Sequence, residues 1–232
     1  MSEARPVIIA LASPKGGAGK TMAAILLACE AARNANRVLI IDADPQASAS
    51  KWFEKSKGGG ARLENIQCEI ITDRIALVAR LKTIRSFDVV FIDIQGTAEA
   101  AMTGALNFAD LVVIPTRAHP ADCRQAILMG QYVASMGGHD RSIPYGVLLN
   151  AVDVIEANSA SARAARNMLR LADMPVFATE LYNRVTFKNV AATGSLFEIE
   201  APSTAMKTAQ QNVVDLMNEI IGRIEGSGSD GG

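Results

Sequence analysis

The sequence has few residues of the types that build disulfides, zinc sites or catalytic triads. Its three cysteines, Cys29, Cys68 and Cys123, are odd in number, far apart and free of CxxC spacing, which excludes a disulfide framework and argues against a zinc site. The two histidines, His119 and His139, are isolated and have no serine, cysteine or metal-ligand neighbours at a useful spacing. We therefore expect reduced core cysteines and structural or surface histidines.

An excess of charge and a long apolar run are also missing. The chain has 23 Lys and Arg against 24 Asp and Glu, and its pI is near 6.2. This balance argues against a whole-molecule electrostatic grip on nucleic acid or on an anionic membrane, so any basic surface must be local. Between Pro6 and Pro14 there are only about seven apolar residues, too few for a signal segment or a membrane span. We expect a cytoplasmic protein.

What the sequence does contain fits one compact unit. With 232 residues, 49% of them hydrophobic, the chain can bury a full core. We expect a single domain over residues 1–225, followed by a flexible Gly/Ser tail over residues 226–232. The glycine run Gly58 to Gly60 indicates a loop within that domain.

Buried strands and helices alternate along the chain. Apolar runs predict strands at Val7 to Ser13, Arg37 to Ile41, Cys68 to Thr72, Phe87 to Ile92, Leu111 to Ile114 and Tyr145 to Leu149. Helices are predicted at Thr21 to Arg33, Asp73 to Ile84, Ala121 to Met136, Ser161 to Leu171 and Ser203 to Ile224. This alternation predicts an α/β fold with a mainly parallel twisted sheet flanked by helices on both faces.

A glycine-rich turn joins the first strand to the first helix. It reads Pro14-Lys15-Gly16-Gly17-Ala18-Gly19-Lys20-Thr21, in which the glycines let backbone N–H groups turn inward and cradle phosphate oxygens. In such a loop Lys20 neutralises the β- and γ-phosphates, and the Thr21 hydroxyl ligates Mg²⁺. The predicted cofactor-binding set runs from Lys15 through Gly16, Gly17, Ala18, Gly19, Lys20 and Thr21 to Met22.

The loop departs from the strict G-x-x-x-x-G-K-[ST] pattern because Pro14 replaces the first glycine, and it carries a second lysine, Lys15. With LIIDADPQAS at 39–48 and VVFIDIQG at 89–96, it resembles the ParA/MinD family of deviant Walker A ATPases, most closely the small ParA type. VVIPTRAHPAD at 112–122 gives weaker support. The resemblance covers nearly the whole chain and implies a P-loop NTPase fold with ATP and Mg²⁺ as cofactors.

The resemblance also assigns roles to single residues. It implies that Lys15 reaches across an ATP-bound homodimer to the nucleotide of the other subunit, so that Lys15, Lys20 and Asp44 carry catalysis. Asp44 would be the switch I carboxylate, with Asp42 near Lys20 and the metal shell. Because Asp42 and Asp44 lie two positions apart in extended chain, their side chains can face the same side. Asp93 ends an apolar strand in the position of a Walker B carboxylate, so Thr21, Asp42 and Asp93 form the predicted metal set.

Two departures from the family pattern are expected to affect nucleotide affinity and the timing of the switch segments. Met22 replaces a second threonine and removes one phosphate donor, and Ile94-Gln95 replaces a common proline pair ahead of Gly96, the residue expected to free switch II. Asn150 ends the strand YGVLLN and resembles the family residue that hydrogen-bonds the adenine edge. The alternative for Asn150 is an ordinary strand-end cap.

A local basic surface is predicted near the end of the chain. Arg163, Arg166 and Arg170 recur on one helix face, and Arg184 and Lys188 lie on the next helical stretch. By resemblance these residues bind DNA non-specifically when ATP is bound, which would make the protein nucleoid-associated, although such residues also form ordinary solvated faces. Because no arginine finger is present, hydrolysis should be slow until an activator completes the site; the resemblance makes that activator a ParB-like or small centromere-binding protein.

Two alternatives remain open. A MinD-like membrane ATPase would need a basic amphipathic C-terminal helix, whereas Val213 to Ile224 has only Arg223 as a cation and is expected to pack on the core. A metabolic enzyme of the same P-loop class, such as a dethiobiotin synthetase-like enzyme or the nitrogenase iron protein, is the other. The latter needs cysteines that share an iron–sulfur cluster, and Cys123 has no second cysteine nearby.

Overall fold

A six-stranded, all-parallel sheet forms the centre of the protein. The computed structural model describes residues 5–94, 99–136, 142–192, 194–198 and 202–228. The strands lie in the order β3-β2-β4-β1-β5-β6. Their bounds are β1 Val7–Leu11, β2 Val38–Ala43, β3 Ile66–Ile70, β4 Val89–Ile94, β5 Leu111–Thr116 and β6 Tyr145–Leu149. The predicted fold class is confirmed.

Helices connect the strands and cover both faces of the sheet. They are α1 Lys20–Arg33, α2 Ser48–Gly58, α3 Arg74–Thr83, α4 Glu99–Leu106, α5 Pro120–Met136, α6 Ala160–Leu171, α7 Val185–Ala192 and α8 Thr204–Gly228. Because every strand is parallel, each connection has to cross back over the sheet, which the helices do. The carboxyl ends of all six strands therefore lie at one edge.

Strand side chains alternate between two hydrophobic layers. Ile9, Leu11 and Phe91 pack with α1, α2, α7 and α8, whereas Ile8, Ala10 and the residues next to Phe91 pack with α3, α4, α5 and α6. The period of two follows from the pleat. Burial on both faces explains why the strands read as continuous apolar runs rather than as alternating ones.

The elements differ from the sequence-based expectations mainly in number and length. Helices α2 and α4 were not predicted, and α7 was predicted only as a helical stretch around Arg184 and Lys188. Helix α8 continues to Gly228, beyond Gly226, where the flexible tail was predicted to begin; residues 229–232 lie outside the described part of the chain, and the tail stays a prediction. The glycine at 58 closes α2 and only the two that follow form a turn.

The C-terminal helix packs on the core, as expected. Its residues Val213, Leu216 and Ile220 are fully buried and join the layer built by α1. These three residues of α8 are thus covered by the protein itself. No helix within the described residues combines the length and apolar character that crossing a membrane requires.

Candidate functional site

The phosphate loop lies between β1 and α1, at the carboxyl edge of the sheet. Gly17 and Gly19 have φ of 76° and 86°, a left-handed conformation that glycine adopts without the strain a Cβ imposes. Gly19 is the N-cap of α1, and its carbonyl accepts the first helical hydrogen bond, from Ala23, at 3.0 Å. The N-terminus of a fourteen-residue helix thus points at the loop, where its free N–H groups and dipole favour an anion.

Lys20 is buried beneath this loop. It is only 8% exposed, and its Nζ lies 3.5 Å from the carbonyl oxygens of Ser13 and Lys15. Burial lowers the pKa of Lys20, against the opposing charges of Asp93 and Asp44. A buried ammonium with only long contacts to carbonyls is suited to an incoming phosphate charge.

Three polar side chains meet where α1 faces the ends of β2 and β4. The Thr21 hydroxyl donates to Asp93 Oδ2 at 2.5 Å, and Asp93 is paired in register with Asp42. Burial, helped by the charge on Asp42, raises the pKa of Asp93 to about 6, against the lowering effect of the Thr21 hydrogen bond. Two buried carboxylates side by side repel one another unless a cation or protons intervene.

These residues fit a magnesium ion. Asp93 Oδ1 is buried and has no hydrogen-bond partner among the described residues, so one hard oxygen is free beside the Thr21 hydroxyl. Magnesium typically takes one or two protein oxygens and completes its shell with phosphate and water. Within the described ranges no group of three or more His, Cys, Asp or Glu side chains is arranged to hold a metal without such help.

Asp42 and Asp44 shape the loop that follows β2. Both oxygens of the fully buried Asp42 accept backbone N–H groups, from Asp44 at 3.2 Å and from Ser50 at 2.9 Å. Burial nevertheless raises the pKa of Asp42. Asp42 thus supports the N-terminus of α2 in place of Ala47, a left-handed residue with no side-chain cap. Asp44 is half-buried and accepts from Gln46 N at 2.8 Å. Their metal and catalytic roles stay predictions.

Lys15 differs from Lys20 in every respect of its surroundings. Its side chain is 56% exposed, and its Nζ pairs with Asp122, in the first turn of α5. A cavity of about 430 Å³ opens beside this pair, lined also by Arg117, Asp153 and Glu156. Lys20 therefore lies inside the protein beneath the loop, whereas Lys15 lies on its outer surface.

Arg117, immediately after β5, was not predicted as a site residue. Its Nη2 donates to Gly17 O at 3.0 Å. Asn150 also contacts the loop, with Nδ2 donating to Ala18 O at 2.8 Å and Gly19 O at 3.2 Å. The only signal for Arg117 in the sequence is its place shortly after an apolar run predicted as a strand. The predicted adenine contact of Asn150 remains a prediction.

The remaining predicted residues have varied surroundings. Met22 is partly buried against the core, and Gly96 lies outside the described residues, as does Gln95. Cys123 is fully buried, and burial raises the pKa of its thiol to about 11. The Gly16 backbone has open space around it.

The predicted basic surface is only partly free. Arg163, Arg170 and Lys188 are exposed, although Arg163 also donates to the carbonyl of Asn158. Arg166 instead forms a two-pronged ion pair with Glu180, both contacts 2.7 Å, and donates to a backbone carbonyl at 2.6 Å. The Arg184 guanidinium lies 5.6 Å from the Tyr182 ring centroid and is half-buried. Arg166 is thus a structural residue in this arrangement.

The sheet order and the two-lysine loop define a P-loop ATPase of the ParA/MinD type. The chain belongs to the VirC1 protein family, whose model matches residues 7–224. It is 28% identical over 217 residues to Protein ParA of Rhizobium radiobacter, covering 90% of this chain and 89% of that protein. It is 33% identical over 181 residues to Maintenance of carboxysome distribution protein A of Gloeobacter kilaueensis, covering 76% of each.

A solved structure supports the fold. The plasmid partition protein of Borrelia burgdorferi B31 bound to AMPPNP superposes with a TM-score of 0.67 at 21% identity, covering 92% of this chain and 99% of that one. The chain is therefore a member of a family of partition and positioning ATPases.

Proposed function

We propose that the protein is an Mg²⁺-dependent ATPase that dimerises around ATP, binds DNA non-specifically and segregates or positions a DNA or protein cargo. The observation that carries the proposal is the division between the two lysines of the phosphate loop. Lys20 is buried under its own loop, while the Lys15 side chain is 56% exposed at the rim.

This division supports a nucleotide shared between two subunits. An exposed ammonium on the outer rim can contact the phosphates of a nucleotide held by a second copy, and such a contact gains strength when the interface excludes water. Loss of the γ-phosphate would remove part of that attraction and loosen the dimer. The nucleotide thereby controls assembly.

The residues around Asp93 would hold magnesium and bind the β- and γ-phosphates with it. When bound, the ion neutralises phosphate charge. Lys20 and the α1 N-terminus orient the triphosphate, and Asp44 orients water at the end of β2. A carboxylate that only orients the water supplies little of the charge stabilisation that phosphoryl transfer needs, so hydrolysis should be slow alone. We propose that a ParB-like or small centromere-binding partner accelerates it.

The relatives support the wider role. A protein named ParA and one named for carboxysome distribution are similar to this chain over most of its length, and a solved plasmid partition protein shares its fold. Arg163, Arg170 and Lys188 would supply the DNA contacts, because they are exposed cations near one another in the chain. Dimerisation would double that surface.

The two alternatives have less support. Val213, Leu216 and Ile220 are buried in the core, so these apolar residues of α8 are not available to a membrane. Cys123 is fully buried, which disfavours a cluster shared between subunits. A dethiobiotin synthetase-like enzyme would use the same phosphate loop but would have no need for an exposed Lys15.

Light scattering coupled to gel filtration, with ATP and Mg²⁺, tests the proposal. We expect a dimer for Asp44→Ala, which should bind ATP but hydrolyse it slowly, and a monomer for Lys15→Ala. Lys20→Ala is the control, because it should lose nucleotide binding itself, whereas Lys15→Ala should retain it. Identical elution of the Asp44 and Lys15 variants would refute the shared-nucleotide dimer.

A further inference from the structure

Two side chains bind three consecutive carbonyls of the phosphate loop. Arg117 donates to Gly17 O at 3.0 Å, and the Asn150 amide donates to Ala18 O at 2.8 Å and to Gly19 O at 3.2 Å. We refer to Arg117 and Asn150 together as the carbonyl clamp. Neither residue belongs to the loop or to the strand and helix that flank it.

The sheet order explains how these residues reach the loop. Strand β1, which leads into the loop, pairs with β5, and β5 pairs with β6, so the ends of β5 and β6 lie beside the loop. Arg117 directly follows β5 and Asn150 directly follows β6. The Asn150 N–H donates to Thr116 O at 2.7 Å, which fixes one strand end against the other.

The side chain of Asn150 is buried and contacts the loop through its Nδ2 group. It is 5% exposed, its Nδ2 serves the two loop carbonyls, and its Oδ1 accepts from Ala151 N at 2.8 Å. Ala151 has φ of 52°, a left-handed backbone that costs an alanine energy and is retained because the surroundings enforce it. Both Nδ2 hydrogens of Asn150 are therefore used by the loop.

Gly19, at the start of α1, leaves room for the Asn150 amide because it has no Cβ. A Cβ built on Gly19 would lie 2.1 Å from Asn150 Nδ2, and one built on Gly17 would lie 3.3 Å from Arg117 Nη2. The amide therefore occupies the space that any other residue at position 19 would need. The glycine is required by the clamp as well as by its positive φ.

Because peptide bonds are planar, holding the loop carbonyls also orients the N–H groups of the loop. In a trans peptide the C=O and the following N–H point in opposite directions. Holding the carbonyls of Gly17, Ala18 and Gly19 from outside therefore directs the N–H groups of Ala18, Gly19 and Lys20 to the inner side of the loop, where a phosphate binds. Donors oriented beforehand need not be ordered when the ligand arrives.

We propose that Arg117 and Asn150 are positioning residues for the triphosphate, acting through the loop backbone. The inference rests on the proposed nucleotide site and names what organises it. It predicts that the clamp affects every ligand carrying the phosphates to a similar degree. A residue that reads adenine would affect ATP alone.

The test measures binding of fluorescent ATP and GTP analogues, and of inorganic tripolyphosphate by competition, to the full chain. We expect Asn150→Ala, and Asn150→Asp, which keeps the shape but loses the donors, to weaken all three ligands by roughly tenfold, in line with losing hydrogen bonds to a buried backbone. Tripolyphosphate, which has no base, should lose affinity as ATP does. Arg117→Ala should act in the same direction, and Arg117→Lys should restore part of the loss.

The matched control is Arg124→Ala, an exposed arginine on α5 that should leave all three affinities unchanged. Loss of ATP affinity with unchanged GTP and tripolyphosphate affinity would overturn the inference and make Asn150 a base reader. Hydrogen exchange of the peptide covering residues 14–22 gives a readout that needs no nucleotide: we expect faster exchange in Asn150→Ala, and unchanged exchange would also overturn the inference. If the unmodified chain binds none of the ligands, the proposed function fails, and exchange alone decides on the clamp.

Discussion

The Thr21 hydroxyl and Asp93 are joined by a hydrogen bond of 2.5 Å that connects the first turn of α1 to the end of β4. The hydroxyl belongs to the phosphate loop segment and the carboxylate to a central strand, so the contact fixes the loop to the rigid part of the sheet. Asp93 keeps its other oxygen buried and without a partner among the described residues. One residue thus positions the loop and offers a metal ligand.

Replacing Asp93 should remove the effect of Mg²⁺ on ATP affinity without lowering the stability of the fold. We expect Asp93→Asn to fold at least as stably as the unmodified chain, because it removes a buried carboxylate that lies beside Asp42. Its ATP affinity should no longer rise when Mg²⁺ is added. Titration of a fluorescent ATP analogue with Mg²⁺ and with EDTA measures this, together with a thermal melt.

Thr21→Ser is the control for this experiment, because it keeps the hydroxyl and should keep most of the Mg²⁺ effect. An Asp93→Asn protein whose ATP affinity still rises with Mg²⁺ as in the unmodified chain would exclude Asp93 as a ligand of the ion.

The ion pair between Lys15 and Asp122 should restrain dimerisation. If Lys15 has to leave Asp122 to reach a second subunit, then Asp122→Asn removes a competing partner. Because the Lys15 side chain is 56% exposed, the pair is worth less than about 1 kcal/mol. We therefore expect the ATP-bound dimer to form at a protein concentration lower by roughly two- to fivefold, measured by analytical ultracentrifugation.

Glu156→Gln is the matched control, since it removes the same charge from the same cavity without touching Lys15. A weaker dimer in Asp122→Asn would contradict the prediction and would make Asp122 itself part of the interface.

The exposed residues of the predicted DNA surface are the ones to test by substitution. Arg170 and Lys188 are exposed, whereas Arg166 is held by Glu180. We expect Arg170→Ala with Lys188→Ala to weaken ATP-dependent binding of a non-specific duplex. The slope of log K against log salt should fall by about 2 for each subunit that contacts the DNA, one for each phosphate contact. Fluorescence anisotropy at several salt concentrations measures that slope.

Lys82→Ala with Arg85→Ala removes the same charge from the α3 region and should leave the slope unchanged. An unchanged slope in the Arg170 and Lys188 variant would assign the DNA contacts, if any, to other residues. Arg166→Ala should instead lower stability by about 1 kcal/mol, because Glu180 loses its partner.

The strands and the phosphate loop were predictable from the sequence, because buried parallel strands read as unbroken apolar runs and the loop is a local motif. Helix α2 was missed for a physical reason. It buries little beyond Ala49, Trp52 and Phe53, and its N-terminus depends on Asp42 from the preceding strand rather than on a local cap. A helix that is supported from outside carries little signal of its own.

Contacts between distant segments were the other part that the sequence could not supply. The position of Asn150 suited either a base contact or a strand cap, and only the order of β1, β5 and β6 brings its amide to the loop carbonyls. Likewise, spacing placed Arg166 on a basic face, but its pairing with Glu180 depends on where the following segment returns. Local patterns identify the residues, and the sheet order decides what they contact.

Glu219 should contribute measurably to the attachment of α8. Its carboxylate accepts from Ala178 N at 2.8 Å and Thr179 N at 3.0 Å, and Arg223, one turn later, pairs with it at 2.9 Å. Burial alone would raise the pKa of Glu219, but the hydrogen bonds from Thr179, Ala178 and Arg223 outweigh burial and lower it. We expect Glu219→Gln to lower the free energy of unfolding at pH 7 by about 1–2 kcal/mol, measured by urea denaturation.

The sign of the pH dependence follows from that lowered pKa. A carboxylate whose pKa is lower in the folded than in the unfolded state stabilises the fold fully above its unfolded pKa of about 4.3, and the contribution is lost as the pH falls through the folded pKa. The difference between Glu219→Gln and the unmodified chain should therefore narrow as the pH is lowered from about 5 towards 3. Glu225→Gln, an exposed change on the same helix, is the control. It should leave the free energy of unfolding unchanged throughout this pH range. A difference that stays constant with pH would mean that Glu219 acts through packing, and its charge would then contribute nothing.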